Sequence, residues 1–389
     1  MDDSSPFSIC DGGILHRALR QVAPAGSARG RPVLVGILFA IGWLPLLVLS
    51  ATHGTLINGV DHPLLYDFGV WARYVVVVPI MVAGEPVADQ ILGTIVDLFR
   101  RTGVVQSEDL PRFEECVRQA QGRARSSVVE LALLVTALAL PHLMAASLPS
   151  PATGSAWFGT VSSGEVQSSP AGIWYTWISL PLVQFLMLRW LWRILVWWSL
   201  LWRVAKLHLT CAAGHPDGAG GLGFLSWSPR AFRTVAVGFS VVAAGSVSNQ
   251  IQFGGTTLLD ARGAIIAFVL IESLLLLSPQ FFFAKGLVRA RYSALAGYGL
   301  TASAISGEFE RRWTGPSAGR GLELLQSSEP STVADYSTAF GLVRTMRPVP
   351  ISIREVAVVV LPLLAPFAPL LLYQYSLKQI LQQVLQLVR

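Results

Sequence analysis

The sequence predicts an all-α integral membrane protein of about seven transmembrane helices, with its amino terminus in the cytoplasm. Three observations carry this reading. Hydrophobic residues make up 52% of the 389 and charged residues only 13%, with a mean hydropathy of +0.54, whereas soluble chains average roughly 25% charged. Seven segments approach the roughly 20 apolar residues needed to cross about 30 Å of hydrocarbon. Basic residues also gather in alternate loops: segments 1–31, 100–127, 203–233 and 285–354 hold 4, 6, 4 and 9, while the opposing loops 54–69, 148–172 and 252–263 hold only Arg262. The positive-inside rule then puts the amino terminus in the cytoplasm and the carboxyl terminus outside.

In order, the predicted spans are Val33–Ser50, Val70–Leu92, Val128–Ser147, Ile173–Ile194, Thr234–Ile251, Ala264–Phe283 and Val356–Tyr373. A polar stretch precedes the first, which is long enough to span and reads as a signal anchor. Trp71 marks the outer start of the second; Trp174, Tyr175 and Trp177 mark that of the fourth, and five tryptophans between Trp190 and Trp202 crowd its inner end, as interfacial rings do. The fourth helix runs on past the membrane toward Leu207. Pro362, Pro366 and Pro369 interrupt the seventh, which fits kinked spanning better than re-entrance because neighbouring helices satisfy the freed carbonyls.

The chain thus divides into a cytosolic segment 1–32, a membrane domain 33–284 with cytosolic loops 100–127 and 203–233, a cytosolic helical segment 285–354, and a seventh span with an amphipathic tail over 355–389. Loop 100–127 reads as a solvated helical hairpin. Segment 285–354 reads as an amphipathic stretch through Tyr292, Leu295, Ile305, Phe309 and Trp313. A linker follows through Gly315, Pro316, Ser317, Gly319 and Gly321, then a short helix Ser331–Met346 stopped by Pro348 and Pro350. The tail Ser376–Arg389 sets Leu377, Ile380, Leu381 and Val384 on one face and lies flat on the outer leaflet.

Placing the charges also excludes function classes. The net charge of +6 lines one membrane face and forms no contiguous basic groove with interleaved aromatics, which argues against nucleic-acid binding. Cys10, Cys116 and Cys211 form no CxxC pair, so neither a disulfide framework nor a thiolate metal site is expected. No cofactor is implied. H-E-x-x-H and G-x-S-x-G motifs are absent, which weighs against a membrane enzyme.

The functional pointers are charges inside the spans: Arg73, Glu85 and Asp89 in the second, Glu130 in the third, Arg189 and Arg193 in the fourth, Glu272 in the sixth. Each costs at least about 2.5–3.5 kcal/mol at mid-bilayer unless paired. Counted from Trp71 and Trp174, Glu85 lies 14 residues in and Arg189 15, Asp89 18 and Arg193 19. Both helices present their pair at i,i+4, which predicts a two-rung ladder, Glu85 with Arg189 and Asp89 with Arg193. Arginines snorkelling to the inner phosphates are the alternative. Glu272 has no charge nearby in sequence and is the candidate for a protonatable or cation-contacting group, or else a neutral carboxyl bonded to Asn249 or a serine of the fifth span. In that span Ser240, Ala244 and Ser248 read as a packing face, with a pore lining as the sharper alternative. His142 reads as packed or interfacial.

The cytosolic stretch Gly214-His215-Pro216-Asp217-Gly218-Ala219-Gly220-Gly221-Leu222-Gly223-Phe224-Leu225 is the most distinctive local motif. Gly220 and Gly221 permit an anion-binding nest of backbone amides, and His215 and Asp217 add a ligand or base; a tight inter-helix turn needs the same residues. This motif resembles that of a bacterial multi-pass inner-membrane protein family. Also matching are Arg73-Tyr74 before Pro79 and Glu85-Pro86, the segment Phe185–Trp192, Glu308–Trp313 and Met346–Pro350. The chain departs from the family at Gly218, where Arg is common. The resemblance implies the architecture and a bacterial inner membrane, and no mechanism. The leading expectation is transport or conduction of a small ion or solute. A scaffold or regulatory subunit, docking a cytosolic partner through 285–354 or a second copy of itself, comes next. An enzyme acting on lipid head groups at the His215 loop comes third. The lipid bilayer is the one partner common to all three.

Overall fold

The computed structural model describes residues 7–12, 30–147, 154–162, 165–314 and 328–373. The linker around Gly315–Gly321 and the tail Ser376–Arg389 lie outside the described residues. Among the described residues, nine helical rods follow segment 7–12: α1 (Gly30–Thr52), α2 (Phe68–Arg101), α3 (Leu110–Ala124), α4 (Ser127–Ser147), α5 (Pro170–Val204), α6 (Gly223–Gly254), α7 (Leu258–Thr314), α8 (Glu329–Thr345) and α9 (Ile353–Tyr373). Six of the described helices are long and apolar enough to cross a membrane. A seventh follows when α3 and α4, bent by 42° at their junction, are counted together. The apolar part of that pair is α4. The fold is therefore the all-α membrane architecture that the sequence predicts.

Proline shapes the spans. In α2 the turn Ala72–Val77 is a π-helix directly before Val78-Pro79, and in α5 the turn Tyr175–Ser179 is a π-helix directly before Leu180-Pro181. Proline offers no amide and crowds the preceding turn, and a π-bulge absorbs the misfit. These two bulges face each other near the outer end and carry Arg73 and Tyr175. In α9 the helix tightens to 3-10 geometry from Ala365 to Tyr373 through Pro366 and Pro369, and the whole segment has the length of a span.

The centre of the bundle is α2 against α6. Glycines set their approach: a Cβ on Gly84 would lie 2.8 Å from Val235, and one on Gly245 would lie 3.2 Å from the Gly69 Cα. Around this pair α5 contributes the fully buried Trp190 and Trp197. Trp190 Nε1 donates to the Met81 carbonyl at 3.0 Å and Trp197 Nε1 to Ser228 Oγ at 2.6 Å, so neither indole buries an unsatisfied donor.

Two features differ from the sequence expectation. The outer loop between α4 and α5 contains a small antiparallel sheet, β1 (Gly154–Ala156), β2 (Gly159–Ser162) and β3 (Glu165–Ser168), in that spatial order. Strands this short leave no alternation to detect in sequence. Loop 100–127 is also no hairpin. It holds one helix, α3, which buries Phe113, Val117 and Ala120 on the bundle and starts beside Asp109, whose carboxylate accepts from the His208 amide at 2.9 Å. On the same side, the part of α7 beyond Ala284 and helix α8 form a hairpin joined by Tyr298, stacked on Tyr336 at 5.8 Å and on Phe340 at 6.2 Å.

Candidate functional site

The charges in and at the ends of the apolar helices fall into three layers. The inner layer lies between α2, α4 and α5. Arg189 stands 3.4 Å from Glu85 and 3.5 Å from Glu130, and Arg193 stands 2.9 Å from Glu85. Its guanidinium also lies 4.7 Å from the Trp190 ring. Arg193 is 2% exposed, so it is held inside the bundle and does not snorkel. The first rung of the ladder, Glu85 with Arg189, is present. The second is corrected: Arg193 shares Glu85, and Asp89 makes no ion pair among the described residues.

What displaces that rung is the amino-terminal segment. Residues 7–12 thread between α2 and α5, with Phe7, Ser8, Ile9 and Cys10 each 5% exposed or less. Asp89 accepts from Ser8 Oγ at 2.7 Å, from the Ile9 amide at 3.0 Å and from the Cys10 amide at 3.2 Å. On the other side Arg193 donates to the Cys10 carbonyl at 3.0 Å and Arg189 to the Gly12 carbonyl at 3.3 Å. Asp89 thus exchanges a guanidinium for three neutral donors, a set that satisfies a carboxylate as fully. Sequence reasoning missed this segment, whose only trace is the short apolar run Phe7-Ser8-Ile9-Cys10.

The outer layer centres on Asp67, also missed. Asp67 Oδ1 caps α2 through the Val70 amide at 3.0 Å and accepts from Asn249 Nδ2 at 2.6 Å; Oδ2 accepts from Trp157 Nε1 at 3.0 Å. An Asp directly before Phe-Gly-Val is an N-cap signal and was available in the sequence. Asn249 belongs here and not beside Glu272. Arg73 is corrected too: it makes no ion pair among the described residues, and donates to Tyr175 OH at 3.0 Å and Ser246 Oγ at 3.5 Å. Asp67, the acid nearest in sequence, is already committed to its three donors.

The middle layer is Glu272. It is buried, accepts from Ser240 Oγ at 2.8 Å through Oε2, and has no hydrogen-bond partner for Oε1 among the described residues. The partner is thus a serine of α6, one of the two options the sequence left open. Glu272 lines a cavity of about 490 Å³ between α4, α5, α6 and α7, together with Gln184, Arg73 and Ser246. Gln184 Oε1 is likewise buried without a partner. Two acceptors without a partner among the described residues therefore stand at one cavity, which Arg73 and Ser246 also line. A second cavity, about 560 Å³, lies between α2, α6 and α9 and is lined by Trp71, Val75, Ala244, Ser248 and Tyr373. Along the small-residue face of α6, Ser240 is fully buried against Glu272, whereas Ala244 and Ser248 line this second cavity, Ser248 bonding to the Tyr373 hydroxyl at 2.9 Å. The exposed His142 ring lies 4.3 Å from that of Trp177.

The Gly214–Leu225 loop is built around its own aspartate. Asp217 Oδ1 accepts from the amides of Ala219 at 2.7 Å and Gly221 at 3.2 Å, Oδ2 from that of Gly223 at 2.8 Å, and His215 Nδ1 stands 2.9 Å from Oδ1. Positive φ at Gly218, Gly220 and Gly221 turns these amides inward, where only glycine is free of steric cost. The anion nest therefore exists, but its anion is the Asp217 carboxylate, which corrects the expectation of an open anion site. Burial by itself raises the Asp217 pKa, and the amides with His215 more than reverse this, leaving it below the ordinary carboxylate range. Met346-Arg347 docks on the loop: the Arg347 amide donates to the Gly218 carbonyl and Arg347 Nη2 to the Asp217 carbonyl, both at 2.8 Å.

The three cysteines are free, and among the described residues no group of three or more His, Cys, Asp and Glu side chains is placed to hold a metal ion. Comparison with family models, with curated proteins and with solved structures found no match.

Proposed function

We propose that this multi-pass membrane protein transports a small ion or solute across a bacterial inner membrane, with Glu272 as its protonatable or cation-contacting group. One observation carries the reading: a mid-span carboxylate, buried against a cavity, keeps one oxygen without a hydrogen-bond partner among the described residues. A buried acceptor left open costs about 1–3 kcal/mol, a cost that a bound proton, cation or donor-bearing solute removes. Gln184 adds a second acceptor on the same wall, and Arg73 and Ser246 line the outer part of the cavity, toward the α2 and α5 bulges. The carboxylate pairing of Arg189 and Arg193 below holds the helices in register around it.

The test is flux in proteoliposomes carrying the full chain, read for protons, monovalent cations and small amines. Wild-type protein is expected to pass at least one of these, and Glu272→Gln to reduce that flux tenfold or more while leaving the fold intact. Flux untouched by Glu272→Gln removes the carboxylate from the pathway; silence over the whole panel favours the scaffold reading. One observation supports that second reading: the α7–α8 hairpin leaves Tyr292 and Leu300 70% and 77% exposed, a surface for a cytosolic partner. Its test is a pull-down that depends on residues 285–354.

A further inference from the structure

We infer that Phe7–Gly12 is a releasable plug, an intramolecular ligand seated in a charged vestibule that opens to the arginine-rich, cytoplasmic face when the plug leaves. The inference goes beyond the transport reading and does not depend on it.

The vestibule has two walls of opposite character. On α2 stands Asp89, an acceptor; on α5 stand Arg189 and Arg193, both donors. An extended peptide presents donors and acceptors along its length, and this one matches each wall: Ser8 Oγ and the Ile9 and Cys10 amides turn to Asp89, and the Cys10 and Gly12 carbonyls to the arginines. Phe7 fills the apolar floor, its ring 6.1 Å from that of Trp197. Arg125, at the α3–α4 junction, holds the outer edge by donating to the Asp11 carbonyl at 3.1 Å.

The way it is held makes the segment separable. Residues 7–12 form neither helix nor strand, and among the described residues none of their peptide groups bonds to another backbone group. Among the described residues every hydrogen bond from the segment to the bundle runs through a side chain of the wall or of Ser8. Withdrawal therefore breaks no ladder and unravels no helix, unlike removal of a turn from α2 or α5. The arginines need not lose their charge partners either, because Glu85 and Glu130 remain in place. At the rim Gly12 has φ +121°, and a Cβ there would lie 2.5 Å from Arg125 Cγ. That backbone position suits only glycine. Elements of this kind belong to the low end of a protein's local stability, opening without global unfolding.

Cys10 provides the reporter. In the full chain with Cys116→Ala and Cys211→Ser, Cys10 is the sole thiol, and its maleimide labelling rate in detergent measures how often the plug leaves. Hydrogen exchange of the α6 amides, in the same sample, measures opening of the bundle. The expected result is Cys10 opening at least tenfold faster than α6. Asp89→Asn is expected to raise Cys10 labelling by a further tenfold without moving α6 exchange. Ser8→Ala, outside the spans and removing the 2.7 Å donor, is expected to raise it severalfold and serves if Asp89→Asn fails to fold. Cys10 opening no faster than α6 makes the segment a fixed part of the core and overturns the inference, as does labelling that neither substitution moves. No gradient or solute enters this measurement, so absence of flux leaves its outcome standing.

Discussion

Asp89 and Asp217 solve one problem in two ways. Among the described residues neither carboxylate has an arginine or lysine partner, and each collects three hydroxyl or amide donors. Asp217 takes amides two, four and six residues ahead, so its site closes within one short loop. Asp89 takes donors from Ser8, Ile9 and Cys10, about eighty residues away in the chain. The entropy of closing a loop grows with its length, and the long closure is secured by side chains alone. The Asp217 loop is stitched in addition by backbone bonds from Thr210 to Val104, Ala212 to Gly220 and Arg347 to Gly218. Chemically alike sites thus differ in permanence: one is a clasp between its own loop, Val104 and Arg347, the other a seat that can empty.

The largest expected effect lies beside the seat. Arg193→Met leaves Glu85 with the longer Arg189 contact and the Cys10 carbonyl without its donor; breaking a buried pair from one side costs about 3–5 kcal/mol. Thermal unfolding in detergent should show it, and Arg193→Met with Glu85→Gln together should recover most of the loss. A single substitution costing under about 1 kcal/mol would mean that the layer is hydrated. Next comes the clasp. Asp217→Ala strips three amides of their acceptor, at about 2–3 kcal/mol in a partly exposed site. Hydrogen exchange should place that loss in residues 212–223 and 346–347, with α2 and α6 unchanged.

How far the sequence reveals each site follows from the same contrast. The spans were legible because hydrocarbon demands about 20 apolar residues and leaves the arginines to one side. Glu85 with Arg189 was legible because depth can be counted from Trp71 and Trp174. Asp89 with Arg193 satisfies the same count and still fails, since equal depth says nothing of a third segment lying between. Phe7–Cys10 gives no periodicity over four residues, and its partners are found only by folding. Asn249 and Ser240 show the complementary limit: both are polar residues of α6, but nine positions separate them, so only Ser240 reaches the depth of Glu272. At Asp217 the glycine pattern announced inward amides correctly; what it left open was which anion they hold.

A smaller effect separates backbone strain from packing within the clasp. Gly220 and Gly103 share a left-handed φ, +66° and +70°. A Cβ on Gly220 meets Met346 at 3.0 Å and Leu287 at 3.1 Å, whereas one on Gly103 meets nothing within 4 Å. Alanine at Gly103 should cost only the left-handed penalty, about 1 kcal/mol, and alanine at Gly220 nearer 2 kcal/mol. Equal losses in thermal unfolding would show that Met346 yields freely and that the loop is loosely clamped.

The smallest effect is the acid response of the clasp. Its amide donors hold the folded Asp217 carboxyl below its ordinary range, against an unfolded value of about 3.9. A depressed folded pKa means that the docked loop binds protons less readily than the released one. Its contribution is therefore complete above about pH 4 and drains away as pH falls through the lower folded value. From pH 7 to pH 5, exchange of the Ala219, Gly221 and Gly223 amides, corrected for intrinsic rate, should stay flat. Below about pH 4 it should rise, and Asp217→Asn should flatten the profile while raising exchange at every pH. A profile that climbs between pH 7 and 5, and does so equally in Asp217→Asn, would trace the response to another group and leave Asp217 a bystander to the loop's docking.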